Sequence, residues 1–199
     1  MFKVALRNRI HLIFVLVIAL SNQSFAQSAP TLKNECDGKN IDSCLTLGLM
    51  YDSGKGVSQD KFKSEQLFKS MCDKGSARAC LYLGELYENS NGSVKDALKA
   101  TTFYKKACAS KNLEACSNLG HMYLIGEGVH QDKSQAVYFF TKACDGKLSD
   151  GCTNLGLVYS NSGDVSKDKF KAVIFFNKAC NLKSELGCKK HALLKTQDT

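Results

Sequence analysis

The residues best equipped for chemistry in this 199-residue chain are ten cysteines: Cys36, Cys44, Cys72, Cys80, Cys108, Cys116, Cys144, Cys152, Cys180 and Cys188. They stand in pairs eight residues apart, and each pair lies thirty-six residues after the last. Thiols at fixed spacing can act as nucleophiles, metal ligands or disulfides. Zinc sites use paired ligands separated by about two to four residues, with nitrogen partners. His121 and His130 share the unit 108–143 and His191 lies in the last, partial one, and all three stand on different columns, so the pattern predicts no metal site and no cofactor. An even cysteine count reads as disulfides where a chain is exported, as the flanks of this one lead one to expect. Identical units should be bridged identically, which selects Cys36–Cys44, Cys72–Cys80, Cys108–Cys116, Cys144–Cys152 and Cys180–Cys188. Thiols held as disulfides are not nucleophiles.

Serine chemistry is the second possibility. Ser58-Gln59-Asp60-Lys61 and Ser166-Lys167-Asp168-Lys169 both fit Ser-x-x-Lys, the nucleophile motif of one class of acyl-transfer enzymes. Both lie on one column of the repeat, where a third unit has His130-Gln131-Asp132-Lys133. No Ser-Asp-Asn or Lys-Thr-Gly partner accompanies them. The strings are by-products of the repeat, and no catalytic residue is assigned.

A fixed period of this length marks stacked supersecondary units. Cut at the first cysteine of each pair, the units are 36–71, 72–107, 108–143 and 144–179, with a partial unit at 180–194. Three residues after the second cysteine comes Leu-Gly: Leu47-Gly48, Leu83-Gly84, Leu119-Gly120 and Leu155-Gly156. Then come Tyr51, Tyr87, Tyr123 and Tyr159. The second cysteine, Leu and Tyr sit at i, i+3 and i+7, one face of a helix; this places the tyrosines in the core. The recurrent glycine predicts a close approach by a neighbouring helix. Gly/Ser/Asn-rich turns follow. Then Asp60, Asp96, Asp132 and Asp168 suit an N-cap or first turn. A second helix carries Leu67-Phe68, Phe103-Tyr104, Phe139-Phe140 and Phe175-Phe176 inward. Gly38, Gly75 and Gly146 predict its stop near the next cysteine. The fold expected is all-α: a right-handed α-solenoid of antiparallel helix pairs, with one disulfide stapling the corner of each repeat.

The flanks fit export. Lys3, Arg7 and Arg9 precede the apolar run Ile10–Leu20, and Ser24-Phe25-Ala26 fits a small-x-small cleavage site. That run is too short to span a bilayer core of about 30 Å. A signal peptide over 1–26 is therefore expected, with no stable membrane anchor and a periplasmic or secreted destination. Cleavage removes three basic residues and no acidic one, which lowers the formal net charge from +8 to +5. The remaining charges are dispersed, so nucleic acid is not an expected partner. Residues 27–35 are a polar lead-in and 195–199 a polar tail.

Two first-helix columns vary between units and are not required for packing. One holds Thr46, Tyr82, Asn118 and Asn154; the other holds Leu49, Glu85, His121 and Leu157. Asn118 and Asn154 are the leading ligand-binding candidates, because an amide can bond an extended backbone or a terminal carboxylate. Tyr82, Glu85 and His121 accompany them. The unit Ala115-Cys116-Ser117-Asn118-Leu119-Gly120 to Tyr123, with Gly126-x-Gly128-Val129, Asp132 and Lys142-Ala143-Cys144, resembles the SEL-one-like repeat, a tetratricopeptide-like helix pair. The thirty-six-residue step with paired cysteines is similar to the Helicobacter cysteine-rich protein family. The first resemblance implies an adaptor, a monomer holding a protein or peptide in a concave groove. The second implies penicillin-type β-lactams as ligands and a weak β-lactamase activity. A cell-wall (peptidoglycan) fragment is a further expected occupant of the groove.

Overall fold

The computed structural model describes residues 29–90, 94–160 and 168–196. The expected signal peptide, Ser166 and residues 197–199 lie outside them. Every regular element among the described residues is a helix. A short helix α1 covers residues 29–37. It is followed by α2 (Ile41–Ser53), α3 (Lys61–Asp73), α4 (Ala77–Glu88), α5 (Val94–Ala109) and α6 (Leu113–Ile125). Then come α7 (Lys133–Asp145), α8 (Ser149–Ser160), α9 (Lys169–Asn181) and α10 (Glu185–Thr196). The chain divides into two compact units, Met1–Lys74 and Gly75–Thr199. In the first, α2 packs on α3. In the second, each helix from α4 to α10 packs on the next, so three antiparallel pairs and a final single helix form a continuous stack.

Local rules set the helix starts. Asp60, Asp132 and Asp168 are N-caps, each accepting a hydrogen bond from the backbone N–H three residues on. Asp96 instead lies in the first turn of α5. First helices have caps of their own: Asn40, Ser76 and Asn112 accept from Ser43, Ala79 and Ala115. Between the two helices of a pair, Gly54 and Gly126 turn the chain left-handed. The amides of Asp60 and Asp132 then bond back to the carbonyls of Tyr51 and Tyr123 at 2.8 and 2.9 Å.

The Leu-Gly glycines mark close approaches. A Cβ built on Gly48 would meet the ring of Phe68 at 2.5 Å, and one on Gly84 the ring of Tyr104 at 2.5 Å. On Gly120 it would meet Phe140 at 2.7 Å, and on Gly156 Phe176 at 2.6 Å. Each ring belongs to the second helix of the same pair, and all four are buried. The helix-breaking cost of these glycines, about 1 kcal/mol each, is offset by seating a whole aromatic side chain.

The second helices stop where the sequence places them: α1 ends at residue 37, α3 at Asp73 and α7 at Asp145 with Gly146 as its C-cap. The residue in the left-handed region is three after the first cysteine: Lys39, Gly75, Lys111, Lys147 and Lys183. Gly146 has φ −71°. Four of the five left-handed corners therefore carry lysine, in a conformation that costs an L-residue about 1 kcal/mol or more. The turn is a Schellman-type closure: Lys111 N–H bonds Cys108 O and Asn112 N–H bonds Ala107 O, both at 3.1 Å. Disulfides sit across these corners. Cys36–Cys44, Cys108–Cys116, Cys144–Cys152 and Cys180–Cys188 have Cα–Cα separations of 4.6, 4.7, 4.6 and 4.4 Å. Cys72 and Cys80 are oxidised too.

Ser64 is fully buried, and its hydroxyl finds no hydrogen-bond partner. Its counterparts one, two and three repeats on, Ala100, Ala136 and Ala172, are equally buried. Ser64→Ala is expected to raise unfolding free energy by about 1 kcal/mol, read by denaturant titration, because a buried orphan hydroxyl is removed. Gly156→Ala is expected to lower it by about 2 kcal/mol, since the Phe176 ring is held in the core and cannot yield.

Candidate functional site

The first helices of the second unit carry the predicted ligand-binding residues. Each Leu-Gly dipeptide faces its aromatic partner, so the residue before Leu and the one after Gly fall to the side of the buried stripe. Tyr82 and Glu85 on α4, Asn118 on α6 and Asn154 and Leu157 on α8 are half-buried, and His121 on α6 is exposed. In the first unit, Thr46 and Leu49 on α2 are exposed. Thr46 donates its hydroxyl to Asp42 O at 2.9 Å.

The structure ties the two asparagines into hydrogen bonds the sequence did not reveal. Asn154 Nδ2 donates to Ser117 Oγ at 3.2 Å, joining α8 to α6. Asn118 hydrogen-bonds the hydroxyl of Tyr104 on α5. That hydroxyl in turn donates to Glu88 Oε2. Burial, then the Glu88 hydrogen bond, raise the Tyr104 pKa far above its ordinary value, with the nearby Glu85 charge adding to the effect. The network depends on one substitution within a column. Tyr104 occupies the place held by Phe68, Phe140 and Phe176, and its extra hydroxyl reaches the edge of the core where Glu88 and Asn118 meet it. A tyrosine standing in a phenylalanine column was the available signal.

The tyrosines after Leu-Gly differ from the core positions expected. Tyr87 is buried, but Tyr51, Tyr123 and Tyr159 are half-buried. Three of them stack on the first aromatic of the second helix. The pairs Tyr87–Phe103, Tyr123–Phe139 and Tyr159–Phe175 have ring centroids 5.7, 5.5 and 5.7 Å apart and lie within 10° of parallel. A lysine lies over each ring: Lys99 at 4.4 Å, Lys105 at 5.5 Å and Lys171 at 5.2 Å. Lys63 lies 5.3 Å from the Tyr51 ring. Lys63 also pairs with the N-cap Asp60 at 2.9 Å, as Lys171 does with Asp168 at 3.2 Å. The Lys63 hydrogen bond holds Asp60 below the usual carboxylate range; for Asp168 the largest cause is the Lys171 backbone N–H.

The other chemistry candidates remain dispersed. Ser58 is exposed in the loop before α3, and the adjacent carboxylate, Asp60, is engaged by Lys63. Among the described residues no three of His, Cys, Asp and Glu form a group able to hold a metal ion. His130 is exposed and His191 half-buried. No described helix is long and apolar enough to cross a membrane.

Tyr104 provides a test of the network by pH. Its folded-state pKa is raised, so folding holds the proton that the unfolded chain releases near pH 10. Stability from this group is fully present below about pH 10 and falls as pH rises beyond it. Tyr104→Phe is expected to flatten that alkaline loss, measured by denaturant titrations between about pH 8 and 11.

No curated protein sequence matches the chain significantly. Solved structures do. A protective antigen of uropathogenic Escherichia coli with an SLR fold superposes with a TM-score of 0.77 at 26% identity, over 85% of this chain and 36% of the antigen. The chain thus spans about a third of that relative's length. A Sel1 repeat protein of Oxalobacter formigenes gives 0.73 at 24% identity, over 83% of this chain and 68% of that one. Cysteine-rich protein B of Helicobacter pylori gives 0.53 at 30% identity, over 67% of this chain and 96% of that one. The Sel1 repeat model matches residues 41–76, 77–112, 113–148 and 149–184, a frame that opens on each first helix, five residues after the cysteine-based cut. The helix pairs, the glycine–aromatic seats and these four matches place the chain in the Sel1-repeat family.

Proposed function

We propose that this is an exported interaction scaffold that holds an extended peptide segment of a partner protein against the first helices α4, α6 and α8. The observation that carries this reading is the series Tyr82, Asn118 and Asn154, one repeat apart on consecutive first helices and outside the buried stripe. Glu85, His121 and Leu157 form a parallel series beside it. Asn118 and Asn154 are pinned by Tyr104 and Ser117, so each amide keeps unused hydrogen-bonding capacity in a fixed orientation. Preorganised side chains of this kind lower the entropic cost of binding a flexible chain. The corner disulfides support a destination outside the reducing cytoplasm.

The test is affinity capture from envelope extract, comparing wild type with Asn118→Ala/Asn154→Ala and, separately, His121→Asp. The first pair removes the amides; His121→Asp changes the exposed neighbouring column without touching an internal hydrogen bond. Recovery of the captured protein is expected to fall at least about five-fold in both, with unfolding midpoints showing that each variant is folded. Equal recovery in both variants would reject this face as the docking surface.

A further inference from the structure

In the first unit the repeat is incomplete in one particular. The column that supplies Phe103, Phe139 and Phe175 holds Leu67, so the half-buried Tyr51 ring lacks the parallel partner that Tyr87, Tyr123 and Tyr159 have. At that place lies a cleft of about 240 Å³. Its apolar floor comes from Leu47, Tyr51 and Leu67, and Cys36 also borders it. Lys33, Lys63 and Gln66 are also among its lining residues. Asp37 is its single carboxylate.

We infer that this cleft is a binding site for an aromatic ring bearing a carboxylate a few bonds away. The protein itself supplies the template for the ring. Three times in this sequence a tyrosine in the equivalent position takes a planar aromatic at about 5.5–5.7 Å and nearly parallel. An offset stack of this kind is favourable beyond its buried area. The volume is below the roughly 300–1,000 Å³ of sites for drug-sized ligands, which suits one side-chain-sized group. Charge decides the substituent. Lys63 is oriented by Asp60 and stands over the Tyr51 ring. Lys33 is a second cation of the lining, beside Asp37, and a charge-assisted bond from a lysine to a carboxylate is stronger than a neutral one. Two sources offer this chemistry: a free arylalkanoic acid, or the C-terminal residue of a chain ending in phenylalanine or tyrosine.

The site uses residues of α1, α2 and α3 only, so it stands or falls separately from the face on α4, α6 and α8. The experiment is a backbone-amide NMR titration of the whole mature protein with 3-phenylpropionate, with an acetylated tripeptide ending in phenylalanine, and with the same tripeptide amidated. Saturable shifts confined to residues 33–67 are expected with the acid, the free peptide or both. Saturation by the peptide alone assigns a chain terminus; saturation by the acid assigns the free metabolite class. The amidated peptide should bind at least about five-fold more weakly, and Lys63→Gln should remove that difference. Leu67→Phe restores the missing ring, should abolish binding and should raise the unfolding midpoint, which shows that the variant is folded. Absence of saturation with both carboxylates, or unchanged affinity in Leu67→Phe, overturns the assignment.

Discussion

The contact on which every repeat depends is an aromatic ring packed directly against a glycine. Phe68, Tyr104, Phe140 and Phe176 each occupy the volume that a Cβ on Gly48, Gly84, Gly120 or Gly156 would need. The exchange is local: one methyl group is given up on the first helix, and a ring on the second becomes fully buried. Burying such a side chain is worth about 1.5–3 kcal/mol, more than the intrinsic penalty of glycine in a helix. It also fixes the rotation of both helices. With the ring on the glycine, the neighbouring tyrosine must meet the preceding aromatic of the second helix, and the residues flanking Leu-Gly must turn away from the core. The columns that could bind a partner follow from that rotation.

A repeat protein has no central core, and each unit is stabilised by its own packing and by its neighbours. Small departures from the repeat therefore have local and readable effects. Tyr104 in place of Phe adds one hydroxyl, and that hydroxyl gathers Glu88 and Asn118. Leu67 in place of Phe removes one ring, and a cleft stands where the stack would be. Gln135 in place of lysine leaves the Tyr123 ring to Lys105 of the preceding helix. The regular columns build the scaffold, and the exceptions differentiate its units.

Much of this was legible in the sequence. The thirty-six-residue step, the helix pairs, the aspartate caps and the need for glycine beside leucine all arise from patterns that local physics forces to recur. What could not be read was where side chains meet across helices. Asn118 and Asn154 share a column, yet their bonds go to different partners, a tyrosine on α5 and a serine on α6. The left-handed lysines were missed for another reason. Glycine is the residue that turns such a corner without strain, yet after Gly38 and Gly146 the left-handed turn falls on the next residue, Lys39 and Lys147.

Those lysines carry a consequence for where the protein can persist. Each disulfide closes an eight-residue corner and, on the loop-entropy estimate, contributes about 2–3 kcal/mol. Each left-handed lysine draws about 1 kcal/mol in the opposite direction. Oxidised, the staple outweighs the strain at every corner where the two coincide. Reduced, the strain would remain without the restraint. Loss of a disulfide therefore costs a lysine corner as much as it would a glycine corner, but from a lower baseline, so the reduced protein keeps a smaller stability margin than glycine corners would leave it.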